Sequence, residues 1–228
     1  MKSIIIVTLS CLLLSANAFA RTIEEIKMDI VNLAEANMSN KMNRPEIRKQ
    51  LNILVTELTD KSTPVSLFTW QLHAPGSWQQ IWADEADNSP EGAPTQNLEH
   101  IYQYVEENGR AVNLGERIFP DGSLKTFALE AIGSVKGNLQ TTEILKSFVF
   151  DDGIEQGLSL RAMAKDILEN KNLLFQEVML GEFPNGPIGA KSDLKMLFLD
   201  RDLKIGTAPN VYTGVVEMFI LVRENIID

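Results

Sequence analysis

The stretch MLFLDRDLKIG, residues 196–206, decides how the second half of the chain folds. Read as one strand, alternation places Leu197, Leu199, Arg201, Leu203 and Ile205 on one face, with a guanidinium standing among aliphatic side chains. Read as a hairpin bent at Asp200, Arg201 and Asp202, it puts the three charges on a solvated turn between two short apolar strands. The eleven residues leave both readings open, and the choice falls to the rest of the chain.

Upstream the pattern has period two from Pro64 onward. It is punctuated by the turn dipeptides Asn108-Gly109, Asp121-Gly122, Gly137-Asn138 and Asp152-Gly153. Such pairs supply the positive backbone angles of tight hairpins, so each is expected to join antiparallel neighbours. Their spacings of 13, 16 and 15 positions leave room for strands of roughly ten residues. Long strands in sequential hairpins hide their edges most readily by closing, which predicts an up-and-down barrel. Downstream, VVEMFILVRE reads as the last strand. Val216, Met218, Ile220 and Val222 share one face, while Glu217 and Arg223 break the other. Residues 156–195 stay unassigned: LSLRAMAKDILEN suits a strand or a short helix, and GEFPNGPIGAKS is a loop.

Ahead of the strands the period is helical. Thr22 and Glu25 fit a capping box before Ile23, Ile26, Ile30, Leu33 and Ala34. Asn43 and Pro45 open a second helix whose stripe is Ile47, Leu51, Leu54 and Leu58. Earlier still, MKSIIIVTLSCLLLSANAFA has an early Lys2, an apolar core and an Ala18-Phe19-Ala20 ending, the pattern of a secretory signal peptide cut after Ala20. The expected organisation is therefore a signal peptide over 1–20, a helical pair over 21–62 and a barrel over 63–228. The one cysteine, Cys11, falls in the first segment, which excludes disulfides, thiol catalysis and thiolate metal sites from the mature chain. A net charge of −10 speaks against nucleic acid as a partner.

Catalytic chemistry finds little support. His73 and His100 are the only histidines, and no serine sits in a nucleophile-elbow context, so neither a metal site nor a hydrolytic triad is expected. The loop with Gly186, Gly189, Lys191 and Ser192 lacks the spacing of a phosphate-binding loop. Glu116 and Glu130 share a parity with apolar residues, which suits an outer wall better than acid-base work. The aromatic residues Trp70, Trp78, Trp82, Tyr102, Tyr104, Phe127, Phe148, Phe150 and Phe219 fall on or beside expected strands. They either pack a filled core or line an apolar pocket, because a barrel of about eight strands can do either.

The order of the segments resembles the plastid lipid-associated protein, or fibrillin, family of lipocalin-like proteins. LFTWQLHA corresponds to the Trp-led first strand, Ile101 to Gln103 to the next, AVNLGE to an Asn-containing strand, and FLDRDLKIGTA with MFILV to the C-terminal pair. The chain departs from the pattern at Phe68, Ala74, Lys204 and Thr207. The resemblance implies a mainly β fold, a lipocalin-like antiparallel up-and-down β-barrel preceded by two α-helices. It favours the bent reading of residues 196–206 and gives Lys204 the part of bracing the barrel end. It also implies a monomeric, non-catalytic protein without cofactor or metal that carries or sequesters a hydrophobic small molecule such as a lipid, fatty acid or isoprenoid quinone. Peripheral membrane contact and a periplasmic or secreted location go with it. The residues expected to meet the ligand are Trp70, Tyr102, Gln103, Asn113, Phe127, Leu129, Leu203 and Phe219. The alternatives are a packed barrel acting as an interaction domain, a small outer-membrane barrel, and an enzyme acting on a lipid.

Overall fold

The structure is a computed structural model that describes residues 21–38, 43–84, 96–118, 122, 124–150, 160–169, 176–177, 188–209 and 214–224. The expected signal peptide, the Asp152-Gly153 turn and most of the loop around Gly186 lie outside the described residues.

Two helices come first, α1 (Ile23–Ala36) and α2 (Arg44–Lys61). Thr22 caps α1 as expected. Its hydroxyl accepts from Glu25 N while the Glu25 carboxylate accepts from Thr22 N. Pro45 sits in the first turn of α2, although the Asn43 side chain makes no cap bond.

The next segment corrects the expectation. LFTWQLH, read as the first strand, is a short helix, α3 (Leu67–His73). Alternation over so few residues is overridden by end signals: Ser66 Oγ accepts from Thr69 N at 3.2 Å and Thr69 Oγ1 from Ser66 N at 3.2 Å. The first strand is GSWQQIWA, β1 (Gly76–Ala83).

The strands β2 (Gln96–Val105), β3 (Arg110–Ile118), β4 (Leu124–Lys136) and β5 (Leu139–Phe150) then run as an antiparallel meander. Gly109 and Gly137 turn two of its hairpins at φ +86° and +64°. The ambiguous segment resolves in part as helix α4 (Leu160–Leu168). After the short β6 (Gln176–Glu177) come β7 (Lys191–Leu199), β8 (Leu203–Pro209) and β9 (Val216–Arg223).

Residues 196–206 are thus a hairpin. Asp200 N donates to Leu203 O at 3.0 Å, and Asp200 Oδ1 accepts from Asp202 N and Leu203 N at 2.8 Å each. Arg201 points to solvent beside Asp202.

The sheet closes. Its strand order is β4-β3-β2-β1-β9-β8-β7-β5, and β4 pairs back onto β5, so eight strands form a ring, with β6 on the far end of β5. This is a lipocalin-like antiparallel barrel. Which face is inside follows from the helices, because an eight-stranded interior admits side chains or one small ligand but no helix pair. Ile26, Ile30, Leu51, Val55 and Leu58 of α1 and α2 pack on Trp82, Leu203, Ile205, Met218 and Ile220. Ala164, Ile167 and Leu168 of α4 pack on Val112, Leu114 and Ala128. Those strand positions therefore face outward, and the alternate set faces the lumen.

Candidate functional site

Strand register assembles the lumen row by row. One belt runs Arg223, Trp78, Gln103, Asn113, Leu129 and Ser147 across neighbouring strands. A second runs Lys204, Leu221, Gln80, Ile101, Gly115 and Phe127. Phe219 stands further along β9, opposite Gly206 and Ala83. Gly115 and Gly206 put no side chain into this space.

One end is plugged. Trp70 of α3 is buried with Val65, Ala74, Trp78, Val105, Ala111 and Met196. The indole of Trp78 donates to Ala74 O at 2.9 Å. Arg223 ties the plug down: its guanidinium lies 3.8 Å from the Trp78 ring centre and donates to His73 O, Pro75 O and Arg201 O. Gly76 is needed beside it, since a Cβ there would run into that guanidinium.

Lys204 approaches the same ring from the lumen, with Nζ 4.5 Å from its centre. It donates to Gln103 Oε1, and Gln103 Nε2 in turn donates to Asn113 Oδ1 at 2.8 Å. The residue is only 3% exposed. Burial first, and the Arg223 guanidinium after it, push the amine well below the usual lysine range. A buried cation is stable only with partners, and here the hydrogen-bonding partner is a neutral amide. Ser147, at the far end of the first belt and 2% exposed, has a buried Oγ with no hydrogen-bond partner.

Of the residues expected to meet a ligand, Gln103, Asn113, Phe127, Leu129 and Phe219 share the lumen face. Three do not. Leu203 is buried on the outer face against α1 and α2, because the bulge between Met196 and Phe198 and the turn at Asp200 set β8 so that Lys204, not Leu203, points inward. Tyr102 packs against the α4 cluster on the outside, one position out of phase with Gln103. Trp70 belongs to α3 and fills the plug rather than a strand wall. The bracing expected of Lys204 is carried by Arg223, whose break in the apolar alternation of the last strand was its signal. Ser147 carried no signal of its own in the sequence.

The carboxylates considered for acid-base work are accounted for or undescribed. Glu130 is buried on the outer face between Arg110 at 2.6 Å and Lys146 at 3.6 Å, a structural pairing under α4. The Glu116 side chain lies outside the described residues. Among the described residues no three His, Cys, Asp or Glu side chains gather as metal ligands, and no helix is long and apolar enough to cross a membrane.

Comparison with known proteins adds little. No protein family model matches the chain, and no curated protein matches it. Among solved structures it is similar to a lipocalin-like protein from Bacteroides uniformis. That similarity has 14% identity over 66% of this chain and 97% of the other, with a TM-score of 0.31, too low to carry an argument.

Proposed function

We propose that the protein binds a hydrophobic small molecule inside the barrel. One observation carries this reading: Gln80, Ile101, Gln103, Asn113, Leu129, Phe219 and Leu221 face the lumen and remain half-buried, although Trp78, Phe127, Ser147 and Lys204 of the same belts are buried. In a closed barrel packed to native density, inward side chains would be as dry as those of any core. Apolar walls with a few convergent polar groups suit a small ligand, whose affinity would come from about 25 cal/mol per Å² of apolar surface removed from water, less ordering costs. The lipids and isoprenoid molecules implied by the fibrillin resemblance are the first class to try. Carriage or sequestration, rather than catalysis, suits a lumen whose described polar groups include no nucleophile paired with a base.

The test is to purify the protein without detergent, extract it with organic solvent, and identify what comes off by mass spectrometry beside a Leu129→Glu chain. A stoichiometric apolar molecule found only in the natural chain is expected. An empty extract, with no uptake of a fluorescent fatty-acid or quinone probe, would instead support a packed barrel acting through its outer surface.

A further inference from the structure

We infer that the ligand is an acid: an apolar body carrying one carboxylate, bound head-first with the carboxylate against Lys204 near the plugged end. This rests on the lumen-binding reading above and adds to it the chemistry of the head group.

Three observations converge on it. Lys204 brings a potential full charge into the lumen, and the partners that surround it do not neutralise it: the Gln103 amide, the Trp78 face and a second cation, Arg223. Arg223 is already engaged, its guanidinium spread over three backbone carbonyls, so it braces the fold while Lys204 is left to face the interior. An anionic head would supply the charge that the site lacks, and charge-assisted hydrogen bonds of that kind are about twice as strong as neutral ones.

The second observation is the direction of the relay. Lys204 donates to Gln103 and Gln103 to Asn113, so the chain ends on the Asn113 amide nitrogen, which is a donor. Ser147 Oγ, in the same belt beyond Leu129, is buried without a partner. The donors that gather at Lys204 fit an acceptor-only group, and Ser147 adds an unused hydroxyl further round the same belt. Lys204, the cation not already spread over backbone carbonyls, matches the single charge of a carboxylate better than the larger charge of a phosphate ester.

The third is the distribution of charge along the barrel axis. By alternation with Phe219 and Leu221, Glu217 faces inward on β9 and is buried. It lies four residues from Leu221, the partner of Lys204, which at about 3.3 Å per residue is about 13 Å away. The inward lysine thus stands well apart from Glu217 along one strand, at the plugged end of the lumen, and that is where an anionic head would meet a cation.

The experiment uses sixteen-carbon probes that share one tail: hexadecanoic acid, hexadecanol and hexadecyl phosphate, each measured by displacement of a bound fluorophore. The natural chain should prefer the acid to the alcohol by at least tenfold and to the phosphate as well. Lys204→Met should bring the acid-to-alcohol ratio close to one, and Lys204→Arg should keep the preference. Equal affinity for acid and alcohol in the natural chain, a preference for the phosphate, or a preference that survives Lys204→Met would each overturn the assignment. Should the methionine chain fail to fold, acid against alcohol on the natural chain decides alone. If none of the three probes binds, the lumen reading itself fails, a result distinct from binding without head-group selectivity.

Discussion

The two faces of this barrel differ in the opposite sense from the usual expectation. The outer face of β8 and β9 is the dry one: Leu203 and Met218 are 1% exposed and Ile205 and Ile220 0%, sealed by α1 and α2. The inner face of the same strands carries Lys204, Phe219 and Leu221, and across the barrel Gln103, Asn113 and Leu129. Most of these are half-buried, and several are polar. A barrel stabilised from outside can leave its inside for something else. Stability and binding are then separable, and substitutions on the two faces should separate them.

The largest loss of stability is expected outside. Ile220→Ala removes aliphatic volume from the seam between β9 and the helices, where close packing leaves little room to relax, and should cost about 2 to 5 kcal/mol in urea denaturation. Probe binding per folded molecule should hold. A loss below about 1 kcal/mol would place the stabilising core elsewhere and undo the comparison.

That seam also shows how far the sequence could be read. The hairpin at Asp200 to Asp202, the capping box of α1, the turns at Gly109 and Gly137 and the closure of long strands were all legible, because each rests on local backbone chemistry. Which face of a strand points inward was not. Alternation separates Leu203 and Ile205 from Lys204 as two sets but does not say which set meets the lumen. Leu203, expected to meet the ligand, belongs to the outer set. The stripes of α1 and α2 held the missing information, since two amphipathic helices need an apolar surface and only the outside of a barrel can offer one. Tyr102 was misplaced by the same ambiguity. Trp70 sits on a seven-residue helix whose local signal is the reciprocal Ser66 and Thr69 cap, and the apolar alternation of LFTWQLH masks that signal.

Next in size is the brace. Arg223→Met keeps the aliphatic stem against Trp78 but removes the donors to His73 O, Pro75 O and Arg201 O. Hydrogen bonds from charged donors contribute about 1.5 to 3 kcal/mol each when buried. These are part-buried and share one side chain, so a total of about 2 kcal/mol is expected. The loss should be local to the plug, and limited proteolysis should therefore cut between α3 and β1 sooner than in the natural chain. Unchanged cleavage with lowered stability would mean that Arg223 supports the barrel as a whole.

The lysine gives a smaller effect with a distinctive sign. Its folded-state pKa lies below the unfolded value of about 10.4, so between the two the unfolded chain binds more protons and stability rises with pH. The natural chain should gain stability as pH climbs from the lowered folded-state pKa toward about 10, and a Lys204→Met chain should lack that component. The difference between the two denaturation profiles isolates Lys204 from every other titrating group. Parallel profiles would mean that the amine keeps its charge in the folded lumen without penalty.

The smallest stability change is expected at the residue whose substitution should harm binding most. Leu129 lies in the lumen between Asn113 and Ser147 in the register of β3, β4 and β5, and it is half-buried. A glutamate there meets accessible space and polar neighbours, so Leu129→Glu should cost no more than about 1 kcal/mol, whereas an unpaired carboxylate in a packed interior costs several or forces itself to protonate. The same charge repels an acidic head and interrupts the apolar wall, so uptake of hexadecanoic acid should be lost while the barrel stays folded. Severe destabilisation would mean that the inside is as tightly filled as the seam under α1 and α2. The contrast between the two faces would then be one of composition alone, with no room left for a ligand.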